Sequence, residues 1–183
     1  MQVIKTMIDD VLLIEPKVFG DQRGFFMESF NFRAWKERTG IEFHFVQANH
    51  SRSSKGVLRG IHYQLAHPQG KLVRVVNGMV FDVAVDLRKS SPTFGRWVGE
   101  YLSADNKRQL WVPERFGHAF FVMSESADFL YETTDYYHPE DEHCLLWNDP
   151  AVGVVWPFDE GQTPLLSAKD LSGKPLSAAA VYE

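Results

Sequence analysis

The sequence predicts an all-β fold, and three observations carry that reading. Apolar residues come in short runs, alternating or rich in β-branched and aromatic types. Gly, Pro, Asn or Asp breaks those runs at close intervals, and only two stretches carry a helical pattern. The 183 residues fit one domain, 1-183. A chain of that size buries roughly 70% of the surface its unfolded form exposes, so a full core is available.

In order, the expected strands are Val11 to Val18, Phe25 to Ser29, Phe43 to Ser51, Val57 to Gln64, Lys71 to Asn77 and Met79 to Asp86. Arg96 to Leu102, Gln109 to Val112, Ala119 to Met123, Ala127 to Thr134 and Cys144 to Trp147 complete the set. Asn77-Gly78 predicts a hairpin, because both residues tolerate the positive φ of a tight turn. The helical stretches are Asn31 to Thr39, opened by an Asn cap, and a turn near Ala104 to Lys107. The tail from Thr163 to Glu183 is looser, with Pro164, Gly173 and Pro175 among small residues.

Composition excludes several classes. With 44% hydrophobic and 23% charged residues the chain matches an ordered globular protein. A formal charge of -5 is the wrong sign for a surface that binds nucleic acid. Cys144, the single cysteine, can form no internal disulfide and lacks the paired ligands of a structural zinc site, which suits a reducing cytoplasm. Met1 to Asp10 carries an acidic pair where a signal peptide needs an apolar run, and no later stretch is long and apolar enough to cross a membrane. Aromatics at 14% serve either a core between sheets or a pocket that stacks on a planar ligand.

Two segments carry candidate chemistry. Arg59-Gly60-Ile61-His62-Tyr63-Gln64 sets an arginine and a histidine in a strand otherwise suited to burial. A regular strand puts Arg59 and His62 on opposite faces, whereas a bulge at Gly60 brings both to one cavity. Pro113-Glu114-Arg115-Phe116-Gly117-His118 places a second histidine at the mouth of another strand. Two strands each carrying a histidine resemble the paired motifs of the cupin superfamily, and so a jelly-roll barrel with a few short helices. Metal-binding cupins carry His-x-His and a nearby Glu in the first motif; here Gln64 takes the second position, and no Glu follows before Gly78. Two ligands fall short of the three or four that first-row metals usually take, so no metal is expected. Phe129, Tyr131 and Thr133 share a face of their strand, and Lys71 opens another.

These residues belong to a longer series. Phe19 to Glu28, Gln47-Ala48-Asn49-His50-Ser51, Leu58 to Gln64, Gly70-Lys71-Leu72-Val73 and Asp82 to Arg88 stand in order, followed by Val112-Pro113 to Gly117-His118. Tyr131 with Tyr136-Tyr137, Trp147-Asn148-Asp149-Pro150 and Ser167-Ala168-Lys169-Asp170 complete it. The series resembles the dTDP-4-dehydrorhamnose 3,5-epimerases.

The resemblance implies a cofactor-free homodimer acting on a dTDP-linked 4-keto-6-deoxyhexose. It implies His62 as base with Asp170 as its orienting carboxylate, Tyr131 as acid, and Lys71 as the cation facing the C4 oxygen. Arg59 and Arg23 would hold the diphosphate, assisted by Lys169 and His118, while Glu28, Gln47, Asn49 and Glu142 match other ligand-contacting positions. Phe26 or Tyr137 would stack on the base. The segment holding Arg23 and Glu28 would reach across the dimer, and the tail 163-183 would pack back on the site. Rival readings are an epimerase of one centre, a ketoisomerase, a noncatalytic sugar-nucleotide-binding cupin and a metal-dependent cupin oxygenase.

Overall fold

The computed structural model describes residues 1–183. Its strands are β1 (Gln2–Lys5), β2 (Leu12–Glu15), β3 (Val18–Asp21), β4 (Gly24–Met27), β5 (Gln47–Ser54), β6 (Leu58–Gln64) and β7 (Lys71–Asn77). After them come β8 (Met79–Asp86), β9 (Trp97–Ser103), β10 (Gln109–Val112), β11 (Phe116–Val122), β12 (Ser126–Thr133) and β13 (Glu142–Cys144). Helices are few: α1 (Phe32–Thr39), α2 (Ala168–Leu171) and a single 3₁₀ turn at Pro139–Asp141. The all-β expectation holds, and so does the Asn31 cap, whose side chain accepts from the Ala34 N–H.

Two antiparallel sheets make a sandwich. One runs β1-β2-β10-β7-β12-β5, the other β13-β6-β11-β8-β9, while β3 and β4 pair only with each other. Between the sheets, Val73, Leu110 and Phe129 meet Val80, Ala84 and Phe120 in one core, with the rings of Phe120 and Phe129 stacked 4.2 Å apart. The sheets are also covered outside. Leu145, Trp156 and Tyr182 of the carboxyl-terminal third lie over Leu58, Ile61, Phe81 and Phe121 on the back of the five-stranded sheet. Trp35 of α1 packs with Trp111 and Leu72 behind the six-stranded sheet. Burial on both faces explains why β8 reads as a nearly continuous apolar run.

Five expectations are corrected. Of Cys144 to Trp147 only Cys144 is in a strand, β13 running from Glu142. Asn77-Gly78 joins no hairpin: β7 lies in the six-stranded sheet and β8 in the other, so the turn is the corner at which the chain changes sheets. Gly78 has the positive φ (76°) that the dipeptide predicts, but a turn does not dictate which neighbours the flanking strands choose. Phe43 to Phe45 is not strand. Those rings belong to the aromatic cluster, Phe43 stacking on Trp111 at 4.6 Å, and β5 starts only at Gln47. Ala104 to Lys107 is a turn closed by the Lys107 N–H on the Ser103 carbonyl, not a helix. The stretch Val11 to Val18 is divided, β2 ending at Glu15 before Pro16 and β3 opening at Val18 in a separate hairpin.

Candidate active site

A cavity of about 650 Å³ opens between the two sheets. The six-stranded sheet contributes Gln47 and Asn49 from β5, Lys71 from β7 and Tyr131 from β12; the five-stranded sheet contributes Arg59 and His62 from β6, His118 from β11 and Glu142 from β13. Lys169 and Asp170 arrive from α2 in the tail. Ten of the twelve sequence-predicted residues therefore line one cavity. Arg23 and Glu28 do not: Arg23 stands exposed on the β3–β4 turn, paired with Asp21, and Glu28 lines a separate cleft near Trp35.

A bulge makes Arg59 and His62 neighbours. His62 pairs with His118 and Arg59 with Phe120, so three steps along β6 match two along β11. Gly60 sits at the extra residue with φ 116°, and a Cβ there would lie 2.5 Å from the His118 carbonyl oxygen. The bulge also frees the Gly60 N–H, which donates to Asp170 Oδ1 at 3.1 Å.

Asp170 is buried and fully engaged. Its Oδ1 lies 2.7 Å from His62 Nε2, while Oδ2 accepts from Ser167 Oγ at 2.6 Å and from the Ser167 N–H at 3.1 Å. The approach of Asp170 to Nε2 is oblique and Nε2 makes no hydrogen bond, so the contact is an ion pair. Burial pushes the Asp170 carboxyl up, but His62, Ser167 and the Gly60 N–H outweigh it and hold the group well below the usual carboxylate range. The His62 Nδ1 lies 3.9 Å from Glu142 Oε1.

Opposite them, burial raises the Tyr131 phenol above its ordinary value against the nearby Arg59 charge. Burial pushes Lys71 down to about 8, with Glu142 and Asp82 pulling the other way. Glu142 accepts from Tyr137 OH at 2.7 Å and pairs with Lys169, whose charge it favours. Gln47 accepts the Tyr137 N–H at 3.0 Å and donates to Asn49 at 2.8 Å, tying the rim together. Of the two proposed stacking rings, Tyr137 lines the cavity and Phe26 lies exposed on the β3–β4 hairpin.

His62, Cys144 and Asp170 offer three ligand atoms within 4.8 Å of one another. The donors fit poorly. His62 and Asp170 are spent on each other, and burial beside Asp170 and Glu142 pushes the Cys144 thiol up to about 12, far from the thiolate a metal needs. Gln64 donates to the His67 and Tyr136 carbonyls at 2.7 and 3.1 Å and accepts the His138 N–H at 2.8 Å, so it serves as a loop clamp.

The family model described as dTDP-4-dehydrorhamnose 3,5-epimerase matches residues 5–178. The chain belongs to the dTDP-4-dehydrorhamnose 3,5-epimerase family. Within that family it is 58% identical over 179 residues to the dTDP-4-dehydrorhamnose 3,5-epimerase of Pseudomonas aeruginosa, covering 98% of each chain. It superimposes on the dTDP-6-deoxy-D-glucose-3,5-epimerase of Legionella pneumophila, in complex with dTDP-4-keto-L-rhamnose, with a TM-score of 0.94 and 53% identity, over 98% of this chain and 94% of that one. A 3′-monoepimerase of Streptomyces bikiniensis, in complex with dTDP-quinovose, is more distant: 33% identical, TM-score 0.88, 94% and 86% covered.

Two polar residues of the resembling series, given no role by the resemblance, are set by the structure against site side chains. Asp82, wholly buried, sets both carboxylate oxygens 3.0 Å from His118 Nε2. Its signal was readable, since a carboxylate inside the apolar run Met79 to Val85 requires a partner. Ser167 completes a capping box with Asp170, and Ser-x-x-Asp is legible as that motif.

Proposed function

We propose that this cavity inverts C3 and C5 of dTDP-4-dehydro-6-deoxy-D-glucose, giving dTDP-4-dehydro-L-rhamnose. The C4 ketone acidifies the hydrogens at both neighbouring carbons, and inversion requires removing a proton from one face and returning one to the other. The observation that carries the reading is the placement of His62 and Tyr131 on strands of opposite sheets, facing one cavity.

His62 takes the proton. Its Nε2 is buried against Asp170, so Nδ1 is the nitrogen left for substrate, and the Asp170 carboxylate stabilises the imidazolium as it forms. Tyr131, kept protonated by its raised pKa, returns a proton from the far wall. Between the half-steps negative charge rests on the C4 oxygen. Lys71 and His118 face that charge, and a cation aimed there favours the transition state over the ground state. Arg59 holds the diphosphate, for which a guanidinium fork is well shaped. Gln47, Asn49, Glu142 and Lys169 read the rest of the ligand, with Tyr137 against the base.

The active form is a homodimer in this proposal, placed in the cytoplasm, where the free thiol of Cys144 suits a reducing medium. The β3–β4 hairpin supports the dimer: Val18, Phe19, Phe25 and Phe26 are all exposed on it, beside Arg23. A second copy covering that hairpin would receive Arg23 and Glu28 at its own cavity. Sedimentation velocity tests this part; an active monomer would refute it.

The reaction is tested by incubating the keto-sugar nucleotide with the protein in D₂O and locating deuterium. Label at both C3 and C5 is expected. Label at one carbon would establish a single-centre epimerase, and no label, with His62→Ala and Tyr131→Phe without effect on function, would establish a noncatalytic binding protein.

A further inference from the structure

Outside the catalytic cavity, His67, Asp135 and His138 gather at its mouth, offering three ligand atoms within 4.8 Å of one another. His67 lies in the loop between β6 and β7, and the other two lie between β12 and β13. We propose that this trio is a binding site for a zinc-class divalent cation that clips the two loops together.

The chemistry of the donors selects the ion. Two imidazoles and a carboxylate suit zinc and its first-row neighbours, whereas magnesium and calcium take all-oxygen shells. A tetrahedral ion with bonds of about 2.0–2.1 Å sets neighbouring ligand atoms roughly 3.3 Å apart. His67 Nδ1 already lies 3.7 Å from Asp135 Oδ2. The two imidazoles are stacked, centroids 3.9 Å apart and planes within 15°. Turning each ring about its soft terminal torsion splays the stack and closes the remaining gap. His138 Nδ1 lies 3.3 Å from Glu140 Oε1, the carboxylate–histidine arrangement that orients a ligating imidazole and leaves Nε2 for the ion.

The backbone beneath the trio is already fixed. Asp141 accepts the Ala66 and His67 N–H groups at 2.9 and 2.8 Å, and the Gln64 amide binds the His67 carbonyl and the His138 N–H. Gln69 donates to the Asp135 carbonyl at 2.8 Å. Little ordering remains for the cation to impose, so most of its coordination energy appears as affinity. Gln69 and Tyr137, on the same loops, line the catalytic cavity, so the clip would rigidify its rim. The cation takes no part in proton transfer, and the site stands independently of the epimerase reading.

The test is a Zn²⁺ titration of chelator-stripped, full-length protein against a chromophoric competitor, with thermal melts run in parallel. Wild type should bind one equivalent and melt higher with zinc, since a ligand of the native state stabilises by mass action. His67→Asn and His138→Asn should each weaken binding on the order of tenfold or more, the loss that even an outer-shell partner produces. Asp135→Asn should do the same, while His50→Asn and Cys144→Ser retain the site. Metal-free melts matching wild type show that the variants fold. Absence of stoichiometric binding, binding indifferent to His67→Asn and His138→Asn, or loss of binding in Cys144→Ser would each overturn the proposal, the last by assigning the ion to the catalytic cavity.

Discussion

His62 on β6 and Tyr131 on β12 face each other across the interior of the sandwich, one from each sheet. Their separation makes their losses distinguishable. His62→Ala should lower turnover about 10²- to 10⁴-fold, the usual worth of a positioned proton-transfer group. Tyr131→Phe leaves the base in place, so recovered substrate should gain deuterium from D₂O faster than inverted product forms. Equal loss of label uptake and product in that variant would place both proton transfers on one residue.

Ser167 reaches His62 through a chain of two contacts. Its hydroxyl donates to Asp170 at 2.6 Å, and Asp170 meets His62 at 2.7 Å. Ser167→Ala removes a donor that holds the Asp170 pKa down, so that pKa should rise. The contribution of a depressed carboxylate is present above its unfolded pKa and is lost as pH falls through the folded one. The acid edge of the stability profile should therefore move to higher pH, with kcat falling, KM nearly unchanged and stability lower by about 1 kcal/mol from the lost cap. Ser167→Thr should restore the profile. A lower melting temperature with an unchanged pH profile would reduce Ser167 to a helix cap.

Strand identity was legible wherever one face or both were apolar. β7, β8 and β10 have the bounds that their runs predict. The errors fall where tertiary contacts choose between local options. Phe43 and Phe45 read as strand because they are apolar, yet their partners are Trp35, Trp111 and Phe30 rather than a neighbouring strand. β1 and α2 span four residues each, and neither carries an apolar run like that of the equally short β10. In the site, histidines and a lysine announced themselves by standing in apolar strands. Asp82 and Ser167 left local signals, a carboxylate in an apolar run and a Ser-x-x-Asp cap, but the side chains they meet, His118 and the Asp170 beside His62, are set by the tertiary fold.

Gly60→Ala should disable both fold and site. The new Cβ would lie 2.5 Å from a backbone oxygen and 2.6 Å from the Ala119 Cβ, at a φ that alanine avoids. Neither contact ends a flexible side chain, so the bulge itself must move, at a cost of about 1–3 kcal/mol or more. It carries Arg59, His62 and the N–H that Asp170 accepts. Urea denaturation should show the destabilisation, and kcat measured where the variant is still folded should fall as well. Wild-type stability in this variant would mean that the bulge is not the constraint described.

Lys71, in the proposed role of the cation facing the C4 oxygen, sets catalysis against stability. Burial lowers its pKa to about 8, so the folded state carries its charge at a cost. A lysine with a folded pKa below its unfolded value destabilises in full below the folded pKa, and the penalty fades as pH rises toward the unfolded value near 10.4. Lys71→Met should therefore be more stable than wild type at pH 7, by about 1–3 kcal/mol, with the gain shrinking toward pH 10. The same variant should lose turnover at both carbons, because both enolates place charge on the same C4 oxygen. Wild-type kcat/KM should decline above about pH 8 as the ammonium deprotonates. Parallel urea melts and pH–rate profiles decide it. A Lys71→Met protein less stable than wild type at pH 7 would show that the lysine is held by its neighbours' charges rather than strained by burial.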